Sequence, residues 1–223
     1  MPTQVPSAIA AISPTGTLTA RQRRQLLIRM ALRRVQPGTG SSHAFMLRRT
    51  AMVEWPDLRQ ILHDIDWVIV GGVATRAYMP ERMTKDLDIL IRQQDEAAAL
   101  RQLQSAGYTV EQQLAIPGFV LASADGIEID LLLGTQPWLE EALQKPQTDP
   151  AGYPVLGLPY LILMKLAASR GQDFGDITTM LGWADDAALA AVRQTIARYS
   201  PQDAADLESL IYIGQQERLD KRE

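Results

Sequence analysis

Asp86-Leu87-Asp88 is the segment whose residue types and spacing most directly permit chemistry. Side chains on a strand alternate with a period of two, so Asp86 and Asp88 point the same way while Leu87 and Ile89 point into a core. Two carboxylates on one face repel each other unless a cation lies between them. Magnesium or manganese supplies that charge and accepts carboxylate oxygens at about 2.1 Å. A third acid, Asp130, lies in Ile129-Asp130-Leu131 and shares a face with Glu128. If that strand lies beside 86–91, the three aspartates form a cluster suited to two-metal displacement at phosphorus. Upstream, Gly71-Gly72 follows the apolar run 67–70. Glycine between a strand and a helix lets backbone approach a phosphate, and the helix start offers unpaired N–H groups.

These residues need elements to hold them. The run 67–70 reads as a buried strand, 73–78 as a short helix and 86–91 as a second strand. An amphipathic helix fits 94–106, stopped by Gly107. A third strand fits 108–112, and 119–124 and 127–133 flank Asp125-Gly126 as a two-residue hairpin. Thr19 caps a helix from Ala20 to about Val35, 46–53 begins another, and Pro56 opens one to about 64. From Pro159 the pattern is helical, with helices over 159–170, 173–181, 185–199 and 201–216. The expected fold is α/β (α+β), with a small mixed sheet of four or five strands flanked by helices and a C-terminal helical unit. The divisions are a basic, partly disordered N-terminal arm at 1–50, a core at 51–157 and helices at 158–223.

The stretch Val70-Gly71-Gly72-Val73-Ala74, followed by Arg82-Met83-Thr84-Lys85-Asp86-Leu87-Asp88-Ile89, resembles the polymerase-beta-like nucleotidyltransferase superfamily. It is most similar to bacterial minimal nucleotidyltransferases and AbiE-type (AbiEii) toxin-antitoxin proteins. A further matching block runs from Leu163 through Lys165 to Arg170, then Asp173 and Asp176. The resemblance covers about 65–182. Where many relatives carry Gly-Ser this chain has Gly72, which leaves only backbone donors.

The resemblance implies a nucleoside triphosphate, ATP among them, with its phosphates over Gly71-Gly72 and near Arg82 and Thr84. Asp86 and Asp88 would bind both metals, Asp130 would share one and accept a hydroxyl proton, and Lys165 would offset charge on the departing phosphates. Bland alternatives stand beside this. Lys165 also fits the polar face of a helix, and Arg170, Asp173 and Asp176 fit a structural ion pair. Arg76 and Arg82 serve either as phosphate contacts or as solvated side chains.

Charge is divided along the chain. Residues 1–53 hold eight arginines and no acid, and the remainder holds 14 basic and 26 acidic side chains. A basic arm on an acidic body suits an RNA contact (transfer RNA included), a partner protein or a leader. With no cysteine, disulfides, thiolate sites and cysteine nucleophiles are excluded, and a cytoplasmic setting is expected. The two histidines cannot build a histidine-rich metal site. No apolar run approaches the roughly 20 residues a membrane span needs, so no membrane partner is expected. The expected activity is transfer of a nucleoside monophosphate to a hydroxyl. The resemblance implies an acceptor among transfer RNA, small molecules such as aminoglycosides and hydroxyls on partner proteins. The basic arm tilts the expectation toward RNA, in a toxin-like enzyme with an antitoxin partner. The rivals are a catalytically silent binding or antitoxin module of the same fold, and an RNA-binding protein built around 20–50.

Overall fold

The structure, a computed structural model, describes residues 10–11, 13, 16–38, 55–80, 84 and 86–219. The expected helix at 46–53 and the expected phosphate contact Arg82 lie outside the described residues. The chain divides into two compact units, one of Ser41–Leu161 and one of Met1–Gly40 with Ile162–Glu223.

The first unit is built on a mixed sheet. Its strands are β1 (Trp67–Ile69), β2 (Asp86–Arg92), β3 (Thr109–Gln113), β4 (Gly118–Ala122), β5 (Glu128–Gly134), β6 (Gln147–Thr148) and β7 (Pro154–Val155). They lie in the order β3-β4-β5-β2-β1-β7-β6. The β2–β5 and β1–β7 pairs are parallel and the rest antiparallel. Seven strands among the described residues exceed the expected four or five. The excess is β6 and β7, two residues each, too short to carry a hydrophobic alternation. They join the sheet through β1, where the Leu156 N–H donates to the Ile69 carbonyl at 2.9 Å.

β2 and β1 occupy interior positions, and their sequences show it. Trp67, Val68 and Ile69 are all buried, as are Leu87 and Ile89 through Ile91. Such continuous apolar runs suit strands covered on both faces. Between β1 and β2 comes a short helix, α2 (Gly71–Ala74), which tightens into a 3-10 turn at Thr75–Ala77. After β2, α3 (Glu96–Ser105) buries Ala99 and Leu103 one turn apart. α4 (Leu139–Gln144) follows β5.

Two local expectations are corrected. The helix expected from 56 to 64 is a single 3-10 turn, Leu58–Gln60, which Asp57 caps through the Arg59 N–H. Leu58, Leu62 and Ile65 are nonetheless buried, so packing takes up the apolar residues without a helix. The Asp125-Gly126 hairpin is longer than two residues: β4 ends at Ala122 and β5 begins at Glu128, and the Ser123 N–H donates to the Ile127 carbonyl while the Ile127 N–H donates to the Ser123 hydroxyl, closing 124–126 between them.

The second unit is helical. It comprises α1 (Ala20–Leu32), most of α5 (Leu158–Ala168), α6 (Gly171–Trp183), α7 (Asp186–Tyr199) and α8 (Ala204–Arg218). α1 opens with a reciprocal cap between Thr19 and Gln22. The helix expected from Ala20, within the basic arm, is therefore present with its Thr19 cap. α6 and α8 cross closely at Gly182 and Gly214, where a Cβ on Gly214 would fall 2.0 Å from the Thr178 carbonyl oxygen. Among the described residues, no helix is long and apolar enough to cross a membrane.

Candidate active site

The three aspartates converge because of strand register. β2 and β5 run parallel with Asp86 opposite Glu128 and Asp88 opposite Asp130. Side chains in register on one face are neighbours across the sheet. Carboxylate oxygens of Asp86, Asp88 and Asp130 all lie within 4.8 Å of one another, and each residue is half-buried. Thr84 sits just before β2, and its hydroxyl donates to Asp86 Oδ1 at 3.3 Å. It thus steadies one member of the cluster.

The glycine elbow sits against that cluster. The Val70 N–H donates to the Asp88 carbonyl at 2.9 Å, extending the β1–β2 ladder one residue past β1. The chain then turns at Gly71, whose φ of +61° is left-handed. A Cβ there would lie 1.9 Å from Asp88 Oδ2. Only glycine fits, both for its backbone angle and for the closeness of the carboxylate. Gly72 is buried behind it and accepts a hydrogen bond from the Thr75 hydroxyl at 2.7 Å.

Gly71→Ala is expected to push the Asp88 carboxylate aside. The left-handed backbone would cost the alanine about 1–2 kcal/mol, so the variant folds with reduced stability. Magnesium-dependent thermal stabilisation, read by calorimetry, would be reduced or lost. An unchanged response to magnesium would contradict the close packing of Gly71 on Asp88.

The electrostatics follow from crowding. Burial, then the charges of Asp86 and Glu128, push the Asp130 carboxyl above its ordinary range. The donor set is three hard carboxylate oxygens and no nitrogen or sulfur, which matches magnesium or manganese. Such an ion would also relieve the repulsion that raises Asp130. Asp86, Asp88 and Asp130 therefore fit as its ligands.

Lys165 belongs to the helical unit, where its ammonium is buried at 3% exposure. It donates to Asp176 Oδ2 at 2.7 Å and to Asp173 Oδ1 at 3.3 Å. The exposed Arg170 guanidinium also holds Asp173, at 2.8 Å. Burial alone would raise the Asp173 carboxyl, but Arg170 and Lys165 outweigh it and hold it low. The cluster has the form of the structural alternative, and a phosphate contact by Lys165 would require it to leave both carboxylates. Arg76 is likewise engaged, pairing with the buried Asp149 beside Tyr153.

Sequence reasoning missed Arg24. It is 4% exposed and bonds Asp203, Asp206, the Ser169 hydroxyl and the Leu166 carbonyl. The available signal was its position four residues before Ile28, which is also buried.

Comparison with known proteins bears on the sheet unit. The family model for aminoglycoside-2''-adenylyltransferase matches residues 58–145, under half of the chain. That stretch holds the glycine elbow and all three aspartates. The match supports the polymerase-beta-like nucleotidyltransferase superfamily as the wider group; it does not bear on an AbiE-type assignment. No curated protein matches the chain. Among solved structures, the antibiotic-resistance factor ANT(2'')-Ia overlaps 71% of this chain and 89% of its own, at 15% identity and a TM-score of 0.40. The lincosamide antibiotic adenylyltransferase LnuA overlaps 62% of this chain and 90% of its own, at 13% identity and 0.36. Terminal uridylyl transferase 4 from Trypanosoma brucei overlaps 81% and 58%, at 12% identity and 0.29. These overlaps are too loose to carry an argument.

Proposed function

We propose that the chain is a metal-dependent nucleotidyltransferase that moves a nucleoside monophosphate from a triphosphate to a hydroxyl acceptor. One observation carries the reading: three carboxylates held within 4.8 Å beside a glycine that packs on one of them. The family match over the same residues supports it.

Asp86, Asp88 and Asp130 would hold divalent metal, which when bound supplies charge to neutralise the phosphates and the attacking and departing oxygens. The backbone of Gly71-Gly72, next to the Asp88 carboxylate, would face the triphosphate, and the Thr84 hydroxyl orients Asp86. The acceptor oxygen bonds to the α-phosphorus, the bond between α-phosphorus and bridging oxygen breaks, and pyrophosphate leaves. The hydroxyl proton would pass to Asp130, directly or through water. Arg82 is a candidate phosphate contact from the segment before β2.

The acceptor class has three candidates: RNA (transfer RNA included), a small hydroxylated antibiotic such as the family match suggests, and a partner protein in an AbiE-type pair. The experiment gives the purified chain magnesium and each of four α-labelled triphosphates, with total RNA, aminoglycosides or cell lysate as acceptor. Label should appear on one acceptor class with matching release of pyrophosphate. Binding of triphosphate without product from any class would favour the silent module instead.

Asp130 also links function to stability. A carboxyl whose folded range lies above its unfolded value favours the protonated form. Stability therefore falls as pH rises from the unfolded value through the folded one. The repulsion therefore grows over that range in metal-free protein. Asp130→Asn is expected to raise the metal-free melting temperature by about 1–3 °C at pH 7, with half-exposure to solvent limiting the effect. The difference should vanish near pH 3. A lower melting temperature in the variant would contradict the crowding.

A further inference from the structure

We infer that Arg76 and Asp149 are positioning residues for the carboxylate site: their ion pair fixes the far end of the glycine elbow and thereby holds Asp88 where it can ligate metal. The inference rests on the reading of Asp86, Asp88 and Asp130 as metal ligands. It adds to them a pair that touches neither metal nor triphosphate.

The elbow is tightly constrained at its start. Gly71 abuts the Asp88 carboxylate so closely that no Cβ fits between them. From Gly71 the chain makes one helical turn, α2, and tightens at Thr75–Ala77. Displacing this segment therefore either uncovers Asp88 or moves its carboxylate. The turn has little to hold it from within, because α2 is four residues long and its Val70 N-cap makes no side-chain hydrogen bond. So short a helix takes its position from tertiary contacts.

Two of those contacts run from the end of the segment to the β6–β7 hairpin and the residue after it. Arg76 pairs with Asp149 through Nε, which donates to Oδ2. The Asp149 side chain is fully buried and that of Arg76 is 9% exposed. The other Asp149 oxygen accepts the Ala151 N–H at 3.0 Å and the Tyr153 N–H at 2.8 Å, so the hairpin turn fixes the carboxylate in its turn. The Tyr153 ring lies 5.6 Å from the Arg76 guanidinium, and its hydroxyl donates to the Trp55 carbonyl at 2.7 Å. Tyr78 makes the second contact, donating its hydroxyl to the Leu156 carbonyl at 2.7 Å. The Leu156 N–H bonds back to the Ile69 carbonyl at 2.9 Å, two residues before Gly71. The contacts thus form a closed circuit from β1 through the elbow to the hairpin and back to β1. A buried ion pair adds little net stability over an apolar pair of similar volume, so its place in this circuit is to define position.

A clamp that only holds the fold together would lower the melting temperature and leave the metal affinity of folded protein unchanged. Manganese binding to the full chain, read by electron paramagnetic resonance below every variant's melting transition, separates the two roles. Binding that Asp86→Asn abolishes reports the carboxylates. Arg76→Met and Asp149→Asn should each raise the manganese dissociation constant about ten-fold, the lower end of what losing a support of a metal ligand costs. Arg76→Lys keeps the charge on Asp149 without the planar fork and should recover affinity to within about three-fold of the parent. The control is Arg92→Gln, which breaks pairs with Asp66 and Glu140 at the other end of β2 and should bind manganese as the parent does. Circular dichroism confirms folding. If Arg76→Met and Asp149→Asn do not fold, Tyr78→Phe, which deletes one hydroxyl from the same circuit, should still weaken manganese about two-fold or more. Parental affinity in the folded Arg76, Asp149 or Tyr78 variants overturns the inference and leaves the metal ligands standing. An equal loss in Arg92→Gln overturns it too, since loosening anywhere in the sheet would then suffice. A parent that binds no manganese removes the metal reading itself, and the inference with it.

Discussion

Asp88→Asn is expected to cut nucleotide transfer by at least about a thousand-fold, because removing one preorganised stabiliser of developing charge already costs about 100- to 1,000-fold. Asp88 also anchors the rest of the site. It lies opposite Asp130 in register, its carbonyl accepts the Val70 N–H, and its carboxylate packs on Gly71. Asparagine keeps the shape and removes the charge. The metal would lose an anionic ligand, while the sheet would lose a source of like-charge repulsion. Activity and stability should therefore move in opposite directions, with transfer abolished and the metal-free melting temperature unchanged or raised. Labelled-triphosphate transfer and scanning calorimetry read the two quantities on one preparation. Retention of transfer within about three-fold of the parent would remove Asp88 from the chemistry, since loss of a true charge stabiliser is far larger. A collapse of stability would instead make Asp88 structural.

The site was more legible than the scaffold around it. Asp86 and Asp88 announce themselves through a period of two in a short apolar strand, and a local pattern suffices to show it. Asp130 was legible as a strand residue, but its place opposite Asp88 depends on parallel pairing of β2 and β5, two strands separated by α3 and a hairpin. Register across such a connection is set by packing of the whole sheet, so the sequence states the condition and the fold meets it. β6 and β7 left no trace, since two-residue strands exist only by bonding to a neighbour. The end of α5 was misplaced for a similar reason. Gly171 looks like a helix stop, yet the chain breaks at Ser169, with φ at +47°, and Gly171 opens α6. The Ser169 hydroxyl accepts from Arg24, a residue 145 positions away, and no local pattern encodes that contact.

Arg24→Met is expected to destabilise the helical unit by about 3–5 kcal/mol, the cost of breaking a buried ion pair from one side. The Arg24 side chain is 5% exposed, and Asp203 and Asp206 are 10% and 12% exposed. Methionine fills much of the same volume but leaves both carboxylates buried without their cation. The Leu166 carbonyl and Ser169 hydroxyl lose a donor as well. Ser200, which donates to Asp203 at 2.7 Å, cannot replace a charge. The loss should be local. Amide exchange in α1, α6 and α8 would accelerate, while β1, β2 and β5 keep their protection, because the chain forms two compact units. The cause is tested by adding Asp203→Asn and Asp206→Asn to Arg24→Met. Removing the stranded charges should recover part of the stability, as expected when the penalty is uncompensated charge rather than lost packing. If the triple variant is no more stable than Arg24→Met alone, packing by the arginine stem, and not the ion cluster, holds α1 in place.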